Sequence, residues 1–532
     1  MTVRAARPPA TSRSTTTAET RGAETRGAAR GGLANMAGSA LAGITGVAVA
    51  WIVARALGTA QAGAFFAATA VFVLVGGIAK LGTPTGLVYW PARLRATGRD
   101  HLLGVCLRAG LVPVGVLAVV LGVAMWLGAP ALARLSAGAD PAVLADHVAG
   151  LRMLAVFLPL QALTDALLTA TRGYRMMRPT VQLDRLLRSG LQLVLVGATG
   201  LCALWASATL PVFALAWAAP YLPVTVLAAI ALRRIHRAHR PAAAGPPSAA
   251  QRRALRRDFW RFTGPRALAS VAQLALQRVD VLLVAALGGL SAAAVYAVAG
   301  RFVVLIQFAN QGISQSVQPR LAEAMATGDR DAANHLYRTA TGWLVLVTWP
   351  VTLLVILLAP DYLRLFGEGY AAGAPVVVVL AGAMLVATGC GMVDMVLAMA
   401  GRTSANLVNV LVALAVTIGL DVLLIPAHGA LGAAIGLACA VVANNLLPLV
   451  QVGRTARLHP FGAGTLAAAG LSAFCFAALP WTVLACTGRG PAGVLAALAV
   501  AVPTFLAGTW LLRRPLALGA FKPRKLMSRR SR

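Results

Sequence analysis

The side chains best suited to chemistry in this sequence are charges and amides set inside apolar helical stretches. Between Phe262 and Leu287, Arg266, Ser270, Gln273, Gln277 and Asp280 recur in steps of four and three. That repeat places side chains on one stripe of an α-helix. After Gly288-Gly289 a second apolar stretch carries Arg301, then Gln307, Asn310, Gln311, Ser314, Gln315 and Gln318. These cover roughly half of a helix's circumference at about 100° per residue. A charge in hydrocarbon costs about 3 kcal/mol or more, so such residues normally face a bundle interior or a wet cavity. The two stretches therefore read as one wall of a water-filled central cavity that holds an anion. Arg301 lies about ten residues into its helix, roughly 15 Å at 1.5 Å per residue, which puts it near the midplane of a bilayer.

Composition sets the class of protein that must position them. The 532 residues are 59% hydrophobic and only 12% charged, with a mean hydropathy of +0.77. This is the profile of a multi-span membrane protein, not of a soluble domain. The net charge of +31 does not imply a nucleic-acid partner, because basic residues crowd into loops on one side and no stacking platform accompanies them. Cys106, Cys202, Cys390, Cys439, Cys475 and Cys486 all fall in apolar stretches without a CxxC pair, so they read as small buried hydrophobes and no metal site is expected. Lysine occurs only at Lys80, Lys522 and Lys525, which rules out a P-loop. Hydrolase and kinase signatures are missing too, and the chain does not read as an enzyme.

Apolar segments of about 20 residues, each long enough for ~30 Å of hydrocarbon, recur from Leu33 to Leu512. The expected fold is all-α and polytopic, with about fourteen transmembrane helices. Arginines at 93–99, 172–188, 233–257, 320–338, 402 and 454–457, and in the tail, alternate with nearly uncharged loops. The positive-inside rule then predicts a multi-pass protein with both termini cytoplasmic, and a composition rich in Ala and Arg and poor in Lys suggests a bacterial cytoplasmic membrane. Residues 1–30 read as a disordered basic N-terminus and 31–232 as a first lobe of six helices. Residues 233–260 read as a basic cytoplasmic linker, 261–453 as a second six-helix lobe, 454–514 as two further helices and 515–532 as a basic tail.

The chain also repeats. Ala96-Thr97-Gly98 matches Ala326-Thr327-Gly328, Leu57-Gly58 matches Leu287-Gly288, Ala129-Pro130 matches Ala359-Pro360, and Arg172 matches Arg402, each about 230 residues apart. Six spans return a chain to the same side, so the two lobes are parallel repeats with a site expected at their interface. At the same offset, the polar stripe of the second lobe falls on Met36, Ala40, Gly43 and Val47. Helix one is neutral where helix seven is charged, so the second lobe is expected to hold the ligand.

The segments Ala54–Phe65, Gln277–Phe302, Gln318–Asp329 and Ile425–Gly436 resemble the polysaccharide and oligosaccharide-lipid flippases of the multidrug/oligosaccharidyl-lipid/polysaccharide exporter superfamily. The resemblance spans roughly Leu33 to Val452. It implies a flippase that carries an undecaprenyl-pyrophosphate-linked oligosaccharide or polysaccharide repeat unit across the cytoplasmic membrane by alternating access. Its partners would be the bilayer, the lipid-linked sugar, and a polysaccharide polymerase with glycosyltransferases. The alternatives are a cation-coupled multidrug antiporter of the same superfamily and a lipid II flippase. In this reading Arg301 grips the pyrophosphate, or else pairs with Asp280. Arg266 receives the head group at the inner mouth or snorkels, and Gln273, Gln277, Asn310 and Gln311 line the path. Asp280, with Asp394 and Asp165 as secondary candidates, would carry a coupling H+ or Na+; no other cofactor is expected. Arg278 lies about 100° off the stripe and is expected to pack between helices. Asp421 is expected at an interface.

Overall fold

The computed structural model describes residues 13–136, 141–205, 208–239 and 246–516, with backbone alone at 13–37, 142 and 403. Helices are the only regular elements among the described residues. Eleven of them are long and apolar enough to cross a membrane, or twelve if a pair bent by 54° counts as one span. The expected count of about fourteen differs for two reasons. Gly38–Ala96, which joins the helix ending at Ala79 to the one at Thr83–Ala96, counts as one 59-residue span, although the chain reverses inside it. The apolar segment at 187–208 is split between a π-helix, Thr180–Arg188, and α5, Ser189–Cys202.

The reversal in α1 (Arg13–Ala79) is at Gly58, whose φ of 72° and ψ of −177° are non-helical. Before it, Gly38 lies against Arg185 and Gly200 against Ile52, so residues 38–52 run alongside 185–200. After it, Gln61 bonds Asp146 at 3.0 Å, Gly76 abuts Gln161 and Lys80 pairs with Asp165. Residues 61–80 thus run alongside 146–165 in α4 (Pro141–Gly173). The equivalent turn of the second half is Gly289, with φ 87° and ψ 167°, one residue beyond the Gly288 that the sequence repeat indicated. Both are conformations that only glycine adopts without strain. Residues 13–30, expected to be disordered, form the start of α1. Residues 1–12 and 517–532 of the expected basic ends lie outside the described residues.

The repeat is visible in the helix ends. α2 (Thr83–Ala96) stops at Thr97 and α11 (Val303–Ala326) at Thr327. Gly98 and Gly328 follow with φ of 66° and 72°. Arg99 N bonds Leu94 O at 2.8 Å, and Asp329 N bonds Ala324 O at 2.9 Å. The same left-handed C-cap closes both helices. The remaining first-half elements are α3 (Leu103–Arg134), α6 (Leu210–Ala218) and α7 (Tyr221–Ala238).

α8 (Ala249–Leu276) opens on a capping box of Ser248 and Gln251. It then lies on small residues of the first half. A Cβ at Gly77 would strike Leu274, one at Gly82 would strike Ala267, and one at Gly86 would meet Thr263 and Phe259. Phe262 stacks on Tyr89 with centroids 4.3 Å apart. The chain breaks at Gln277-Arg278 and resumes as α9 (Val279–Leu283), a π turn at Val284–Gly288, and α10 (Leu290–Ala299). Beyond α11 come α12 (Arg330–Leu357), α13 (Ala359–Arg364), α14 (Ala374–Gly389), α15 (Val393–Met399), α16 (Thr403–His428) and α17 (Ala430–Thr455). The final helices are α18 (Ala463–Ala473), α19 (Leu479–Thr487) and α20 (Pro491–Leu511).

The buried clusters divide the molecule along its length. Near the Gly58 and Gly289 turns a single cluster draws from both halves, including Val53, Phe65, Leu290, Tyr296 and Tyr370. Trp51 and Arg55 of α1 donate to Leu365 O at 2.7 and 3.0 Å there. Away from that joint the core separates into one cluster drawn from 68–259 and another drawn from 317–458. The halves are joined at the turn end and part toward the linker end.

Candidate functional site

A cavity of about 330 Å³ opens where the halves part. Its size falls in the ~300–1,000 Å³ range of small-ligand pockets. Ser39, Ala42, Gly43, Gly46, Val49 and Ala50 line it from the first segment of α1, and Phe65, Phe66, Thr69, Ala70 and Val73 from the second. Steps of three and four put the small residues on one helix face, so helix one is the neutral wall that the sequence implied.

The charge comes from four arginines and no carboxylate: Arg185 and Arg188 from the first half, Arg278 and Arg301 from the second. Each sits where a helix is irregular. Arg185 and Arg188 lie in the π-helix before α5. Arg278 is at the break between α8 and α9. Arg301 is in a 3-10 turn, Gly300–Phe302, between α10 and α11. Such interruptions re-aim side chains that a continuous helix would carry round with its own phase, and they recur at functional sites.

Arg301 makes no ion pair with Asp280; its guanidinium carbon stands 5.2 Å from the Phe66 ring centroid. The Nε atoms of Arg301 and Arg278 are closed off and have no hydrogen-bond partner. Arg188 is held more firmly. It donates to Asp184 Oδ1 at 2.6 Å and to Gln192 Oε1 at 2.9 Å, and it lies over Tyr221. Arg185 lies 3.6 Å from the same aspartate. One carboxylate outside the lining thus serves two arginines, while the second-half pair makes no ion pair and Asp280 acts on Arg278 only through space. Desolvated guanidinium groups that make no ion pair form a strong field for an anion, and their planar forks suit phosphate oxygens.

The other expected residues are spread more widely. Arg266 folds back on its own helix, 3.9 Å above the Phe262 ring, and donates to Phe262 O at 2.7 Å. Gln273 on α8 and Gln277 just past its end are exposed, as are Asn310 and Gln311 on α11; none is among the residues lining the cavity. Ser314 Oγ lies 3.4 Å from Asn310 Oδ1. At about 100° per residue, Gln311 and Gln315 continue the face of Phe308, which packs on Gly43, toward the linker end.

None of the second-half carboxylates lines the cavity or forms an ion pair with its arginines, although Asp280 is near enough to Arg278 to act on it through space. Asp280 is 5% exposed and accepts from Tyr296 OH at 2.5 Å and Val281 N at 2.8 Å. Asp165 is paired with Lys80. Asp394 is half-buried, with Oδ1 closed off and unbonded. Asp421, expected at an interface, is fully buried in α16, and neither of its carboxylate oxygens has a partner. Thr417, one turn earlier, also has an unpartnered hydroxyl.

Sequence reasoning found Arg301 but missed Arg185, Arg188 and Arg278 as cavity residues. Arg185 and Arg188 were absorbed into the loop-charge tally, though Gln182, Arg185, Ser189 and Gln192 step by three and four just as the second-half stripe does. Arg278 was placed by phase counted through an unbroken helix, and the 54° bend resets that phase.

Residues 265–426 match the MatE family model. No curated protein matches the sequence. The fold is similar to an inward closed conformation of the lipid II flippase MurJ, with TM-score 0.68 and 13% identity over 90% of this chain and 98% of that one. It is also similar to an inward-facing MATE family multidrug resistance transporter of the MOP superfamily, with TM-score 0.61 and 15% identity over 79% and 94%. A MOP superfamily transporter from Pyrococcus furiosus, described as having a binding pocket of reverse polarity, gives TM-score 0.53 and 16% identity over 81% and 95%. The chain is a polytopic membrane protein with the fold of the MOP superfamily, and its second half carries the MatE sequence pattern.

Proposed function

We propose that this protein is a flippase that moves a lipid-linked anion, an undecaprenyl-pyrophosphate-linked oligosaccharide, between the leaflets of a bacterial cytoplasmic membrane. The observation that carries this reading is the lining of the cavity: four arginines, no Asp or Glu, at the seam between two repeated halves. Arg278 and Arg301 bind the pyrophosphate, and Arg185 and Arg188 meet it from the opposite wall. The head group rides between the halves while the polyprenyl tail stays in lipid. Rocking of the first lobe, with α8 held on it, against residues 277–453 would expose the cavity alternately to each side. With both termini cytoplasmic, the parted linker end is the cytoplasmic mouth.

The lipid II flippase reading shares this chemistry, since its substrate also carries a pyrophosphate and a sugar, and the likeness to MurJ favours it over a drug antiporter. A cationic drug would meet only like charge in this cavity. Coupling belongs to the second half, where Asp280 and Asp421 are buried outside the cavity lining. The substrate test is flipping of fluorescent polyprenyl-pyrophosphate sugars by the purified protein in liposomes. Transport that Arg278→Gln/Arg301→Gln abolishes supports the proposal. Drug efflux without lipid flipping would sink it.

A further inference from the structure

We propose that the linker face carries a second anion site, separate from the cavity between the halves, which holds one phosphate group. There α12, the start of α18 and the chain after α20 enclose a pocket of about 220 Å³. His335 and Arg338 enter it from α12 and Arg514 from the segment beyond α20, while Gly464 and Thr465 belong to the first turn of α18. No Asp or Glu lines it. Neither arginine has an ion-pair partner among the described residues. Arg338 Nε is closed off from solvent and unbonded, and the other arm of that guanidinium donates toward the His459 ring.

The pocket is built rather than incidental. α18 begins on Gly462 with no side-chain cap, which leaves its first-turn N–H groups without a side-chain acceptor. Gly464 lets the final segment lie flat on that turn: a Cβ there would stand 2.5 Å from Pro515 O. Trp343 Nε1 donates to Leu516 O at 3.0 Å, and Leu516 is 3% exposed in a cluster with Val345 and Ala468. These contacts fix the backbone beside Arg514 against the pocket. Two guanidinium groups and an uncapped helix start form a donor set for phosphate oxygens.

The pocket sits where the apolar run of α12 begins, at Ala340, which is the depth of a lipid headgroup. The sequence continues beyond Leu516 with Lys522, Arg524, Lys525, Arg529, Arg530 and Arg532, and basic clusters at that boundary attract anionic headgroups. The shared chemistry is a phosphate, carried by a phospholipid or free in solution.

The test uses the full-length protein in detergent micelles, titrated separately with dioctanoyl phosphatidylglycerol, dioctanoylglycerol and inorganic phosphate. Bound ligand is counted by native mass spectrometry, and the melting temperature is followed in parallel. Saturable phosphatidylglycerol binding is expected, weakened about tenfold or more in Arg338→Gln/Arg514→Gln and retained in Arg278→Gln/Arg301→Gln, with none for the phosphate-free diacylglycerol. Saturation by inorganic phosphate with the same dependence on the variants supports the site and assigns it to the soluble anion. If the glutamine variant does not fold, Arg338→Lys/Arg514→Lys decides, because it keeps charge without the fork and binding should fall. Equal binding by wild type and the folded variant, or no saturable binding of either phosphate, overturns the proposal.

Discussion

Replacing Arg301 with methionine should abolish transport while making the protein more stable. The guanidinium has no carboxylate partner, its Nε is closed off, and Arg278 lines the same cavity. Holding an uncompensated cation there costs several kcal/mol, and an apolar side chain of similar length removes that penalty, for a net gain of about 1–3 kcal/mol. The same change deletes a charge-assisted contact to the phosphate of roughly 1.5–3 kcal/mol, about 10- to 150-fold in affinity. Arg301→Lys should fall between, since it keeps charge and loses the planar fork. The assay pairs dithionite-accessible flipping of a fluorescent polyprenyl-pyrophosphate sugar in liposomes with the melting temperature of the same preparations. Unimpaired flipping at equal protein load, or a drop in melting temperature, would refute the reasoning, because the arginine would then be spectator or scaffold.

Tyr296→Phe leaves an oxygen of buried Asp280 without its donor, so it should destabilise by about 1–3 kcal/mol, read as a lower melting temperature. Asp421→Asn removes a buried carboxylate that has no partner. It should preserve folded yield and abolish the response of flipping to an imposed H+ or Na+ gradient, which gradient-clamped liposomes will show. Gly289→Ala forces a side chain into φ 87°, ψ 167° and should cost about 1–3 kcal/mol. Gly190→Ala, where a Cβ meets nothing within 4 Å, should be neutral or gain up to ~1 kcal/mol; detergent-solubilised yield and melting separate the two. Cysteines placed at Gln315 and Thr59 should react with a membrane-impermeant maleimide from opposite sides, Gln315 from the cytoplasm, as inverted and right-side-out vesicles will report.

The architecture was largely legible because it is written in local chemistry. Apolar runs mark the helices, and the repeated Ala-Thr-Gly caps mark their ends. The arginines of the site were legible only in part, for physical reasons. Arg301 stands alone in an apolar run, so its cost announces it. Arg185 and Arg188 stand at the edge of a run, where charge is cheap, and only the π-helix turns them inward. Arg278 follows a break that its own neighbours do not signal, since Leu276-Gln277 carries neither proline nor glycine. Asp421 was misplaced because α16 continues to His428, about two turns beyond it, and the carboxylate lies in the packed interior against Gly436.

The seating of α8 in the hollows left by Gly77, Gly82 and Gly86 has a consequence for assembly. The chain segment that opens the second half completes the surface of the first. Translated alone, residues 31–239 would present unfilled grooves to lipid, and residues 246–516 would begin with a helix lacking its cradle. Co-expression of those two fragments should therefore rescue the membrane insertion and yield that neither attains singly, as expected of two look-alike units that depend on each other to mature.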